Sequence, residues 1–427
     1  MNPLITTKPS IAELFQRDFE LTAILERILA SCELPTELSD KARQHYNEKT
    51  KHLKKCPLLS NYEVVIKPQG SMSIGTTVPP VSSKKKRKAG EFDVDLLIAI
   101  EAKENQMVPQ NLLREIGAYL KLEYAKDLTP IRYGWQLDYA IEDRMHFDIV
   151  PAVRSFHEQK GMILAAPDRD KNEWKATNPE GYTKDFLALC EQLPLFEREL
   201  VQCSNSAHGT LRKEAREPKV EKLPEPSPMK RPLQRVVQLT KRHRDTWFSK
   251  LPNDGLKRRP ASIVVTTILW YAYQRYVANR QFASVYAIVI KLAESLTDSS
   301  ILLRKEEGRK IRYDLPNPTL PDENLVAKWN LDENQQAVAE FFTWAEDYRK
   351  FIIALSQAEG RHVLQEKLSS CLGQDHVLPV FKADALAAAP GNAARSNLAY
   401  VPKLGITGLA TIATALPLKA HTFHGIH

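Results

Sequence analysis

Five residues, Phe92-Asp93-Val94-Asp95-Leu96, constrain this chain more than any other stretch. Apolar and acidic residues alternate there, and strand side chains alternate faces with a period of two. Asp93 and Asp95 therefore share one face, while Phe92, Val94 and Leu96 pack on the other. Any fold that accepts this strand sets two carboxylates side by side. At about 4 Å and an effective dielectric of about 20, such a pair repels by roughly 4 kcal/mol. Protonation or a divalent cation has to offset that cost. A second strand, Met145-His146-Phe147-Asp148-Ile149-Val150, adds Asp148 amid apolar neighbours. By parity His146 lies on the Asp148 face, where it is expected as a hydrogen-bond partner. Three carboxylates from two strands suit a hard, oxygen-loving cation such as Mg²⁺.

An isolated Asp-x-Asp is more often the exposed face of an edge strand. What precedes it here argues otherwise. A short strand, Tyr62 to Ile66, leads into Gln69-Gly70-Ser71-Met72-Ser73-Ile74-Gly75-Thr76. A Gly-Ser turn opening a helix lets backbone amides approach phosphate oxygens, with the hydroxyl as a further donor. Strand, Gly-Ser turn, Asp-x-Asp strand and a later strand with Asp, in that order, read as a metal-dependent nucleotidyl transfer site.

Around these motifs the chain reads as α+β, a mixed region followed by helices. An amphipathic helix opens at a Ser10-x-x-Glu13 capping box, and a polar helix runs from Ser39 towards Leu53. Phe92 to Ile100, Gly134 to Ala140 and Met145 to Val150 read as strands, and Asn111 to Lys121 as a helix. Pro218 to Pro232 holds five prolines and is expected to be a stiff connector between domains. Helices are expected over Leu233 to Phe248, Ala261 to Ala278, Ser284 to Leu296, and Gln335 to Leu355 with continuation to Leu372. From Ala383 onward there are twelve alanines and four charged residues in 45 positions, too apolar for a solvated tail.

The formal net charge of +8 is local. Arg212 to Arg259 alone carries +9 and Lys84 to Lys88 another +5, which leaves the rest acidic. The lysine run lacks interleaved aromatics and so offers no stacking platform for single strands; nucleic-acid binding is not expected. The excess is read instead as complementing small polyphosphates beside the carboxylates. No apolar run approaches the roughly 18 residues of a membrane span, and no secretory signal is apparent at the start. Five scattered cysteines without a C-x-x-C pair point to reduced thiols in a cytoplasm.

The residues Gln69 to Thr76, Asp93-Val94-Asp95 and Asp148 resemble the polymerase-β-like nucleotidyltransferases. Gln238-Leu239-Thr240-Lys241-Arg242-His243-Arg244-Asp245, Ser262 to Thr267, and Asn317-Pro318 with Glu323-Asn324-Leu325 and Trp329 narrow the likeness. They are similar to the cGAS/DncV-like nucleotidyltransferases, the bacterial cyclic-oligonucleotide synthases of antiphage (CBASS) systems.

The resemblance implies a bilobed enzyme. Residues 1–56 would be helices bracing both lobes, 57–217 the nucleotidyltransferase palm, 218–232 the connector, 233–382 the helical lobe, and 383–427 the apolar tail. Asp93, Asp95 and Asp148 would be the catalytic residues and would hold two Mg²⁺ ions, or Mn²⁺ in their place. Gln69, Gly70, Ser71, Lys241 and Ser262 would contact the donor nucleotide, and Asn317 the acceptor base. The substrates would be NTPs, ATP and GTP foremost, and the product a cyclic di- or trinucleotide second messenger that activates a downstream effector. The apolar tail is a candidate handle for a regulatory or ligase-like protein. Two rivals are a template-independent transferase acting on RNA or another acceptor, and a nucleotide-binding module without chemistry. The intact triad argues against the latter.

Overall fold

The structure, a computed structural model, describes residues 11–33, 36–79, 81, 92–138, 145–154, 163–196, 230–308, 310–388, 399–401, 405–407 and 416–417. The capping residue Ser10, the Lys84–Lys88 run and most of the proline-rich connector lie outside these residues, as does the tail beyond 388 except for three short strands.

The first half builds a sheet. Helices α1 (Ile11–Ser31) and α2 (Thr36–Leu53) precede β1 (Val64–Pro68), a single helical turn α3 (Gly70–Ser73) and β2 (Phe92–Lys103). Then come α4 (Pro109–Tyr124), β3 (Leu128–Ile131), β4 (Gly134–Asp138), β5 (Met145–Arg154), β6 (Leu164–Asp168), β7 (Glu173–Thr177) and α5 (Pro179–Cys190). The strand order is β1-β2-β5-β4-β3, with β6 pairing the end of β5 and β7 pairing β6. Only β2 and β5 run parallel within this sheet.

The alternation in β2 decides what lies on each face. Val94, Leu96, Ile98 and Ile100 join Phe147 and Ile149 of β5 in one buried cluster with Tyr46 and Leu53 of α2 and Leu113 and Ile116 of α4. Each such side chain contributes about 1.5–3 kcal/mol on burial. Beyond Asp95 the opposite face of β2 turns apolar, and Leu97 and Ala99 join Ala152, Leu164 and Ala166 in a smaller cluster. The acidic stretch is thus confined to the entry end of two adjacent strands.

After β8 (Leu195–Phe196) the chain becomes helical: α6 (Pro232–Ser249), α7 (Gly255–Arg258) and α8 (Ser262–Tyr276), then β9 (Gln281–Phe282) and α9 (Val285–Glu294). Two hairpins follow, β10 (Leu303–Glu307) with β11 (Lys310–Asp314) and β12 (Pro316–Asn317) with β13 (Leu320–Asn324). The lobe closes with α10 (Gln335–Ser356), α11 (Arg361–Leu372) and α12 (Gln374–Ala388). Among the described residues, no helix is long and apolar enough to cross a membrane.

The N-terminal helices divide between the two cores. Leu21, Ile24, Leu25, Ile28 and Leu29 of α1 are buried in the helical-lobe core, whereas Ala42, Tyr46 and Leu53 of α2 belong to the sheet core. Helix α5, expected within the palm, buries Tyr182, Phe186 and Leu189 in the helical-lobe core. The helix expected from Gln335 to Leu355 is α10, and its continuation to Leu372 is a separate helix, α11, after a break between Ser356 and Arg361 where Gly360 takes φ +83°. Only glycine adopts that conformation cheaply. The start of the apolar tail is already helical. It lies in α12, docked on α1 and α11, where Asp384 pairs with Arg27 and Arg361.

Candidate active site

The parallel pairing of β2 and β5 sets the site. Its register places Asp95 opposite Asp148 and Asp93 opposite His146, so four polar side chains share one face of two neighbouring strands. Val94 and Phe147, between them in sequence, are buried on the other face. Asp93 is exposed at the rim, its side chain 52% accessible, while His146, Asp95 and Asp148 are half-buried. His146 Nε2 lies 3.3 Å from Asp93 Oδ1.

The carboxylates are held apart from their ordinary chemistry. Burial, with repulsion from Asp93 and Asp148, raises the Asp95 carboxyl well above the usual range, against a smaller pull from His146 and Lys241. Asp148 is pushed up to about 6, by burial first and then by Asp93. Asp148 Oδ1 is buried and, among the described residues, accepts no hydrogen bond. An orphaned carboxylate oxygen in an acidic cluster is the situation a cation relieves. One ligand atom each from Asp93, His146 and Asp148 lie within 4.8 Å of one another. The donor set therefore fits a divalent ion.

The Gly-Ser turn sits directly over this face. The Gln69 amide donates to the Asp95 carbonyl at 2.9 Å, which stitches the end of β1 to β2. Gly70 takes φ +67°, and a Cβ there would stand 1.9 Å from Asp95 Oδ2. Backbone and carboxylate can approach this closely only because residue 70 has no side chain. Ser71 closes the turn, its carbonyl accepting from the Thr76 amide at 2.9 Å. Ser73 Oγ reaches the Gly70 carbonyl at 2.8 Å and Thr183 of α5 at 2.9 Å.

Beyond the turn, side chains of α6 grip the outgoing segment. Gln234 donates to the Ile74 carbonyl, Lys241 to Thr76, Gln238 to Thr77 and Arg242 to Pro79, all at 2.9–3.0 Å. Lys241 is buried. Burial and the nearby Arg244 lower its ammonium to about 7, against the pull of Asp245, Asp93 and Asp95. It thus feels the aspartates while its Nζ is engaged at Thr76.

The other expected contacts sit further along the helical lobe. Ser262 is the first residue of α8, and its Oγ accepts from Arg244 at 3.3 Å. Asn317 is buried in the β12–β13 hairpin. It donates to Glu323 at 2.8 Å and accepts from the Thr319 amide at 3.0 Å. Glu323 in turn pairs with Lys175 of β7 at 2.6 Å, and Asn178 donates to the Thr319 carbonyl at 3.1 Å. This hairpin therefore ties the two lobes together.

Two features escaped the sequence reading. His146 was expected to face Asp148, but its pairing with Asp93 depends on a strand register that parity cannot supply. The cations of α6 were expected to line a polyphosphate cleft. Instead Arg235 is held by Glu26 and Glu33, and Arg244 by Asp245 and the Pro260 carbonyl. Fifteen of the eighteen residues of α6 are buried, so most of this charge is internal structure.

Residues 20–188 match the Second Messenger Oligonucleotide or Dinucleotide Synthetase domain. Over 416 residues, 95% of this chain and 97% of the relative, the sequence is 26% identical to a c-di-GMP synthase of Roseivirga ehrenbergii. The fold is shared with the CD-NTase CdnG of Bradyrhizobium diazoefficiens, solved in complex with GTP. That likeness has a TM-score of 0.58 and 22% identity, over 85% of this chain and 99% of the other. It is shared also with E. coli CdnC solved with ATP, with a TM-score of 0.53 and 13% identity over 82% and 97% of the two chains.

Proposed function

We propose that the chain is a cGAS/DncV-like nucleotidyltransferase that makes cyclic dinucleotides, condensing NTPs in a divalent-cation-dependent reaction with Asp93, Asp95 and Asp148 as its catalytic carboxylates. The observation that carries the reading is the unrelieved acidic face under Gly70, with Asp148 Oδ1 buried and, among the described residues, unbonded. GTP is the favoured substrate, in keeping with the name of the Roseivirga relative. Product release would be pyrophosphate, once for the linear intermediate and once for ring closure.

In this reading Gly70 and Ser71 present the turn to the donor triphosphate, with Gln69 fixing its edge. Asp148 is the natural acceptor for the proton of the attacking ribose hydroxyl. Mg²⁺, or Mn²⁺ in its place, held by Asp93, Asp95 and Asp148, would supply charge neutralisation for the phosphates and acidify the hydroxyl. Lys241, Ser262 and Asn317 are proposed as further nucleotide contacts; Lys241 would first leave the Thr76 carbonyl. The reaction belongs in the cytoplasm with the NTP pool, and its role in antiphage signalling through a nucleotide-activated effector is part of the same proposal.

The test is direct. Purified protein is incubated with each labelled NTP and Mg²⁺ or Mn²⁺, and the products are treated with phosphatase. A small, phosphatase-resistant product is expected from GTP. A ladder on added RNA, or activity that survives Asp93→Ala with Asp95→Ala, would overturn the reading.

A further inference from the structure

His146 is the member of the acidic face whose chemistry the three aspartates leave unexplained. It sits two residues before Asp148 on β5, opposite Asp93 of β2 on one side and opposite Asp138 of β4 on the other. Its side chain is 18% exposed, and its Nε2 lies 3.3 Å from Asp93 Oδ1. A ring nitrogen and one oxygen from each of Asp93 and Asp148 fall within 4.8 Å of one another, and Asp148 Oδ1 has no hydrogen-bond partner among the described residues. A site of oxygens alone suits Mg²⁺, which prefers hard ligands and gives up its water reluctantly. An imidazole nitrogen adds affinity for first-row transition ions far more than for Mg²⁺. If His146 served only to orient Asp93, the choice of ion would not depend on it.

We propose that His146 is a nitrogen ligand of the metal site and shifts its preference from Mg²⁺ towards Mn²⁺ and similar first-row ions. The inference rests on the metal-dependent reading above and adds an ion-selecting residue to it. Asp93, His146 and Asp148 would hold the ion, with Asp95 as a further carboxylate of the same face.

The experiment uses the full chain without nucleotide and Mn²⁺ as the probe. Pulsed paramagnetic resonance of the bound ion should show coupling to a ring nitrogen. That coupling should vanish in His146→Ala and in His146→Asn, the second of which keeps a polar side chain beside Asp93 if the first fails to fold. Competition titrations should show the Mn²⁺-over-Mg²⁺ affinity ratio falling by about tenfold in the variants. Bound Mn²⁺ without nitrogen coupling, coupling that persists in both variants, an unchanged ratio, or no bound ion at all would overturn the proposal. The two readings fail separately. Product formation without nitrogen coupling removes the ligand assignment alone. Nitrogen coupling in a chain that forms no cyclic product removes the function and leaves the ligand standing.

Discussion

Two regions of this molecule bury charge, and they do so in opposite ways. Along α6 each buried cation is answered. Arg235 has Glu26, Glu33 and the Gln238 amide oxygen, Arg242 has the carbonyls of Leu372 and Pro79, and Arg244 has Asp245 and the Pro260 carbonyl. At the ends of β2 and β5 three carboxylates share one face with a single imidazole, and Asp148 Oδ1 is answered by nothing among the described residues. Satisfied buried charge fixes one packing arrangement, whereas unsatisfied buried charge stores a demand that a ligand can meet. The contrast separates scaffold from site.

The comparison can be broken most severely at the aspartates. Asp95→Ala should lower the rate of cyclic product formation by about a thousandfold or more while leaving the circular dichroism spectrum unchanged. A modest loss would mean that the face is not the reaction centre. Gly70→Ala is the next largest: a Cβ 1.9 Å from Asp95 Oδ2, at φ +67°, forces the turn off the carboxylate. We expect about a hundredfold loss of turnover, with a stability cost of about 1–3 kcal/mol by urea unfolding. On the scaffold side, Arg235→Ala strands Glu26, while Glu33 keeps Gln238 and Lys230. It should cost about 3–5 kcal/mol in the same unfolding assay, and activity should fall only as the folded fraction does.

The smallest effect carries a sign. Asp148 titrates near 6 in the fold, against an ordinary 3.8, so the folded state binds its proton more tightly. The stability this confers is full below the ordinary carboxylate range and is lost as pH rises through 6. In metal-free protein Asp148→Asn should therefore raise stability by about 1–2 kcal/mol at pH 7.5, after allowance for solvent screening. The gain should disappear near pH 4, and thermal unfolding at both pH values with a chelator present checks it. A variant no more stable at pH 7.5 would place Asp148 among the satisfied charges.

Much of this contrast was readable in advance, for identifiable reasons. Parity placed Asp93 and Asp95 on one face, and the apolar flanks of Asp148 marked it as half-buried. The Gly-Ser turn could be put before β2 because it follows a strand ending at a proline. What could not be read was pairing. Nothing in the sequence sets His146 against Asp93 rather than Asp148, or sends Arg235 to glutamates about two hundred residues away. The allegiance of α5 was hidden for the same reason: its apolar face is visible in the sequence, but the core that receives it is not. Gly360 is different, because a glycine in mid-helix is a legible stop that apolar periodicity overrode.

The grip of α6 on residues 74–79 has a mechanical consequence. The turn over the aspartates is sewn to the sheet at Gln69 and to the helical lobe at Ile74, Thr76, Thr77 and Pro79. It is a short tendon with one insertion on each side of the joint. Neither lobe can swing on the other without either tearing four side-chain bonds or dragging Gly70 across Asp95, so the width of the cleft and the seating of the turn are a single degree of freedom.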